Sequence, residues 1–129
     1  MFTHDQIKTA HSKVKSGADF PNYIQELKKL GMTNYETFVS DGHTDFYGEN
    51  NFKISSPPKY DNQIISDKSD APQFTKELKE HQQGKSDYPY FCKMCARTGV
   101  EKWEVDMSKM TCTYFDKAGN EVLKEIIPQ

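Results

Sequence analysis

The chain has 129 residues, enough for one modest core, with 35% hydrophobic and 12% aromatic residues. Its 19 acidic and 17 basic residues are well mixed and leave a formal net charge of −2. That balance argues against disorder, and the lack of a basic excess or stripe argues against a nucleic-acid partner. No apolar run approaches the ~18 residues of a bilayer span, and Met1-Phe2-Thr3-His4-Asp5 has no basic segment followed by an apolar one. With an odd number of cysteines, three, we expect a cytoplasmic protein with reduced thiols and no membrane partner.

Thr3-His4-Asp5-Gln6 reads as a capping box. Ile7, Ala10, His11 and Val14 then follow helical spacing, and Ser16-Gly17 is the expected stop. Asp19-Phe20-Pro21 opens a second helix with Tyr23, Ile24, Leu27 and Leu30 on its inner stripe and Gly31 as its end. From residue 32 the period becomes two: Tyr35, Thr37 and Val39 point one way and Glu36 the other. Asp41-Gly42 predicts a two-residue hairpin into a strand over 43–47, and a third strand follows over 52–55. Residues 57–69 form a connector in which Gln63-Ile64-Ile65 reads as a short edge strand. The pattern then restarts. Asp70-Ala71-Pro72-Gln73 opens a third helix, ended near Gly84, and Asp87-Tyr88-Pro89 opens a fourth, ended at Gly99. Strands are predicted at 100–107, 110–116 and 121–127.

The restart has a fixed offset, which lays 19–48 over 87–116. Asp19, Pro21, Gly31, Glu36 and Ser40 then coincide with Asp87, Pro89, Gly99, Glu104 and Ser108. Each window holds six aromatics, and five coincide: Phe20/Tyr88, Tyr23/Phe91, Tyr35/Trp103, Phe46/Tyr114 and Tyr47/Phe115. Random placement would give about one coincidence. We therefore expect an α+β fold in a single domain, 1–129, built from an internally duplicated helix-helix-strand-strand-strand unit over 3–56 and 70–127. Antiparallel sheet, continuous or in two abutting pieces, would carry helices on one face.

Candidate chemistry is sparse. Cys92 and Cys95 share a helix face and, with Cys112 and His81, have the composition of a zinc site or, as a pair, of a redox motif. Their counterparts in the first half are Ile24 and Leu27, on the buried stripe, so core packing is the reading we favour, with no metal or cofactor. His43, Asp45 and Tyr47 alternate on one strand face as an acid/base candidate, or as an exposed edge near a turn. Glu36 and Glu104 are carboxylates at equivalent strand positions: a coupled pair if they meet, and otherwise ordinary solvent-facing residues, which is the favoured reading. Tyr35 and Trp103, on the opposite face, read as core anchors. The Gly84-Lys85-Ser86 run is no phosphate loop, because Lys79 stands where the first glycine belongs and no strand precedes it.

The stretch 81–103, HQQGKSDYPYFCKMCARTGVEKW, and the stretch 110–122 resemble an uncharacterised bacterial family of small cytoplasmic proteins, YbcV-like, often labelled "phage envelope protein". Tyr35-Glu36-Thr37 and Phe46-Tyr47-Gly48 resemble its first half. The resemblance implies no activity, substrate or catalytic residue, and since the residues lead us to expect neither a leader nor a span, the envelope label gains no support. The reading that remains is a non-enzymatic binding module. Its groove, for a small molecule or protein segment, would lie at the seam of the repeats, with Tyr47 and His81 as candidate contacts. The alternatives are a hydrolase- or isomerase-like enzyme using His43 and Asp45 with Glu36 or Glu104, and a zinc-stabilised interaction protein.

Overall fold

The computed structural model of the chain describes residues 2–15 and 17–128. Among these, α1 (His4–His11), a 3-10 turn (Gly17–Asp19) and α2 (Phe20–Lys29) precede β1 (Met32–Phe38), β2 (Thr44–Gly48) and β3 (Lys53–Ser55). A connector leads to α3 (Ala71–Gln82) and α4 (Tyr88–Arg97), followed by β4 (Val100–Asp106), β5 (Thr111–Asp116) and β6 (Glu121–Ile126). The fold is α+β. The six strands make one antiparallel sheet in the order β3-β2-β1-β4-β5-β6, with the helices packed on one face.

Local chemistry sets the helix starts. Thr3 Oγ1 accepts from Gln6 N (3.2 Å) while Gln6 Oε1 accepts from Thr3 N (2.9 Å), a reciprocal cap for α1. Asp70 and Asp87 accept from Gln73 N (3.1 Å) and Tyr90 N (2.9 Å) at the starts of α3 and α4. The expected stop at Ser16 lies outside the described residues, and α1 ends earlier, at His11. There the bonds shorten to three-residue spans, Lys13 N to Ala10 O and Val14 N to His11 O, which unwinds the helix although Val14 still packs against the core.

The sheet's inner face carries Tyr35, Phe46, Trp103, Val105 and Tyr114, all buried, against Ile24, Leu27, Phe74 and Phe91 from the helices. Phe74 meets Tyr114 at 4.9 Å between ring centroids, and Phe91 meets Trp103 at 5.5 Å. The strand pairings of the two halves are in step. In β1/β2, Met32 faces Gly48 and Tyr35 faces Phe46. At the equivalent positions of β4/β5, Val100 faces Asp116 and Trp103 faces Tyr114, with a bulge at the same place.

Two expectations are corrected. The β1–β2 hairpin is not a two-residue turn: Phe38 N donates to His43 O (3.0 Å) and Gly42 N to Phe38 O (2.8 Å), which leaves a four-residue loop over 39–42. Val39 is fully buried inside that loop, and Gly42 takes the left-handed conformation, φ 78°, that closes it. At the equivalent place in the second half Met110 does the same with φ 52°, an uncommon conformation held by a side chain only 1% exposed. Gln63-Ile64-Ile65 is not a strand. Its backbone is taken up elsewhere: Gln63 N donates to Ser40 O (2.7 Å) and Ser66 N to Ala96 O (2.9 Å), so the connector straps the hairpin loop to the end of α4. Ile65 is buried beneath it and Ile64 stands 92% exposed.

The halves join through β1 and β4. Asn34 faces Asp106, Glu36 faces Glu104 and Phe38 faces Lys102. Beyond the strand ends, Val39 N donates to Glu101 O (2.8 Å) and Met107 N to Thr33 O (3.0 Å).

Candidate functional site

Because side chains alternate along a strand, burying Tyr35, Thr37, Trp103 and Val105 under the helices sends Glu36, Phe38, Lys102 and Glu104 to the other face. That face is not covered by the helix layer. Register then arranges it in rows. One row reads Ser55, Asp45, Glu36, Glu104, Thr113 across β3, β2, β1, β4 and β5. The next places His43 beside Phe38, then Lys102, then Phe115.

The four residues considered for acid/base chemistry, His43, Asp45, Glu36 and Glu104, therefore share this face. The favoured reading of Glu36 and Glu104 as independent surface carboxylates is corrected: they are direct cross-strand partners at the middle of the sheet. They form the central pair of the β1–β4 register, with two paired positions on either side. Burial raises the Glu104 pKa, the Glu36 carboxylate raises it further, and Lys102 opposes the shift.

Asp45 is only 13% exposed at its side chain and is well partnered. Ser55 Oγ donates to it at 2.7 Å, Lys53 Nζ stands at 3.8 Å and His43 Nε2 at 3.7 Å. On its other nitrogen, His43 Nδ1 meets Asp41 Oδ1 at 2.5 Å, and the same carboxylate accepts from His43 N at 3.0 Å. Burial works against ionising Asp41, but the His43 N–H and ring together outweigh it and lower its pKa. The His43 ring stacks on Phe38 with centroids 4.6 Å apart and planes 8° apart. Both imidazole nitrogens thus face carboxylates.

Lys102 Nζ lies 3.3 Å from Glu36 Oε2, 5.8 Å from the Phe38 ring centroid and 5.5 Å from that of Phe115. These separations are within the ~6 Å reach of a cation–π contact. Asp41, Phe38, Lys102 and Phe115 are not among the candidates that the sequence singles out. The available signal is the alternation itself, since residues two apart from Glu36 and Glu104 must share their face.

Tyr47 joins the open face one row further on, opposite Asn34 and Lys53, with Lys53 Nζ 5.6 Å from its ring centroid. His81 does not join it. It sits on α3, stacked on Phe91 at 4.4 Å, with Nδ1 at 3.1 Å from both Ser86 O and Ser86 Oγ, and burial lowers its pKa. Cys92, Cys95 and Cys112 are buried between helix and sheet. Burial raises all three thiols, Cys112 to about 12 and Cys95 well above its usual value, which disfavours the thiolate that zinc or disulfide exchange requires. Among the described residues, no group of three or more His, Cys, Asp or Glu side chains is placed to hold a metal ion. A shallow groove of about 410 Å³ lies between α1 and α2, lined by Asp5, Thr9, Lys13, Glu26 and Leu30, and a second lies between α3 and α4. Both are within one half of the chain, away from the β1–β4 seam. No described helix is long and apolar enough to cross a membrane.

No curated protein matches the chain. A family model described as "Protein of unknown function (DUF1398)" matches residues 8–126, nearly the whole length. The chain whose two halves meet at Glu36 and Glu104 therefore belongs to that family of uncharacterised proteins, DUF1398.

Proposed function

We propose that this protein is a non-enzymatic binding module whose ligand surface is the open sheet face over the β1–β4 seam. The observation that carries the reading is the convergence on that face of Glu36, Glu104, Asp45, Phe38, Lys102 and Phe115 from β1, β2, β4 and β5, with His43 just ahead of β2. A mixed row of charged and aromatic groups on rigid strands holds its geometry without a ligand, which lowers the entropic penalty of binding. The hydrolase- or isomerase-like alternative is less well supported. His43 has a carboxylate at each nitrogen, and the face has no helix over it to exclude water from a reacting group.

The in-step halves, with matching pairing register at equivalent positions, favour descent from a duplicated unit within one domain, residues 1–129. Three free buried cysteines fit a reducing, cytoplasmic setting. A YbcV-like or phage-related origin rests on sequence resemblance alone, in the 81–103 and 110–122 blocks and in Tyr35-Glu36-Thr37 and Phe46-Tyr47-Gly48.

The test is amide chemical-shift mapping of the labelled protein with benzoate, phenylacetamide and benzamidine as probes. At least one should perturb residues of β1, β2, β4 and β5 that flank Glu36 and Lys102. Perturbations confined to the α1–α2 or α3–α4 grooves, or none at millimolar probe, would overturn the reading.

A further inference from the structure

Lys102 sits in an unusual place for a surface lysine. Register puts a phenylalanine directly opposite it on each neighbouring strand, Phe38 on β1 and Phe115 on β5. Its ammonium lies over both rings, at 5.8 Å and 5.5 Å, and 3.3 Å from the Glu36 carboxylate. Two aromatic faces and one carboxylate around a single cation are the groups that recognise an ammonium ligand. Strand pairing by itself does not require a cation there. The equivalent position in the first half is Asn34, flanked by Asp106 and Tyr47, and the strands pair in the same register without one. The Phe38 ring is also braced from behind by the stacked, carboxylate-clamped His43, so the wall is rigid. Lys102 and Glu36 keep 29% and 19% of their side-chain surface exposed on the uncovered face, so the ammonium can leave without disturbing the core.

We propose, building on the binding-module reading, that Phe38, Phe115 and Glu36 form a cage for an alkylammonium group, and that Lys102 fills it in the free protein as a tethered competitor. The ligand class is a primary or methylated amine, carried either by a free small molecule or by the lysine of a peptide. A tethered side chain acts at an effective concentration on the order of millimolar. An external amine therefore binds only to the fraction of molecules in which Lys102 has swung out, and its apparent affinity falls by that fraction.

The test uses n-butylammonium and the tripeptide Gly-Lys-Gly as probes, with affinity read by chemical-shift titration. In Lys102→Met, which keeps the apolar stem, affinity for one or both probes should rise about tenfold over the unmodified protein, as expected for a cage filled roughly nine-tenths of the time. The shifts should centre on Phe38 and Phe115. Gain with both probes assigns the cage to an amine head group, and gain with the tripeptide alone assigns it to a peptide lysine. Adding Phe115→Leu to the variant should abolish the gain. A second measurement needs no variant: in the unmodified protein the Lys102 ε-methylene protons should resonate upfield from ring shielding and move toward free-lysine values as butylammonium is added. The cage inference is overturned if Lys102→Met gains nothing for either probe, if the gain survives Phe115→Leu, or if the ε-methylene signal is unshielded. Should an aromatic probe bind this face while neither amine gains, the binding-module reading survives and the cage falls; should no probe of any kind touch the face, both fall.

Discussion

Replacing Glu104 by Gln should stabilise the protein at neutral pH and leave it unchanged at mild acidity. Glu36 and Glu104 are direct cross-strand partners, and at neutral pH they set two negative charges side by side. Side chains in such pairs approach to roughly 5–6 Å, where like charges repel by about 0.7 kcal/mol in water. Lys102, 3.3 Å from Glu36, cancels part of this, and both groups are solvent-screened, so the expected gain for Glu104→Gln is about 0.5 kcal/mol. The sign of the pH dependence follows from the direction of the shift. Burial and Glu36 raise the Glu104 pKa above its value in the unfolded chain, so the native state takes up the proton first. The penalty is therefore full above the raised native value and is relieved as the pH falls toward the ordinary glutamate value of about 4.3. Urea unfolding at pH 7.5 and pH 4.0 checks this. A gain at pH 7.5 that vanishes at pH 4.0 fits the pair. A variant less stable than the parent at pH 7.5, or one with the same offset at both pH values, would refute the reasoning.

Two further substitutions probe the frame that holds the site. Gly31 and Gly99 end α2 and α4 with φ of 97° and 85°, yet a Cβ at Gly31 would meet nothing within 4 Å, whereas one at Gly99 would meet Lys68 O at 2.6 Å and Ser69 Cα at 2.7 Å. Gly31→Ala should cost about 1 kcal/mol from backbone conformation alone, and Gly99→Ala about 2–4 kcal/mol because the connector must also move. Equal losses by urea titration would mean that the connector does not strap α4. Cys92, 1% exposed in the core beneath the sheet, should lose about 1–2 kcal/mol as Cys92→Ala and should resist alkylation in the native protein. Rapid modification of the native thiol together with an unchanged unfolding midpoint would contradict its place in the core.

The helices were legible because their signals are local. Thr3 with Gln6, Asp70 with Gln73 and Asp87 with Tyr90 lie three positions apart, within reach of one turn, and the apolar stripes of α2 and α4 repeat at helical spacing. Local signals do not reach the places where a distant partner decides. The 39–42 loop spans four positions because Val39 is drawn into the core, and Gln63-Ile64-Ile65 stays irregular because Ser40 and the end of α4 use its neighbours' backbone groups. The alternation around Glu36 told which side chains share a face of one strand, but not which strand lies alongside.

From the residues alone came the class of fold, the order of α1–α4 and β1–β6 (though not the irregular course of 63–65), and the separation of Tyr35 and Trp103 from Glu36 and Glu104. Each depends on bonds or periodicities spanning a few positions. Only the folded chain decided that β1 lies against β4, that Glu36 faces Glu104, and that Lys102 enters between Phe38 and Phe115. Those neighbours are distant along the chain, and pairing at that range is selected by which register buries the whole inner face at once, a condition no single segment contains.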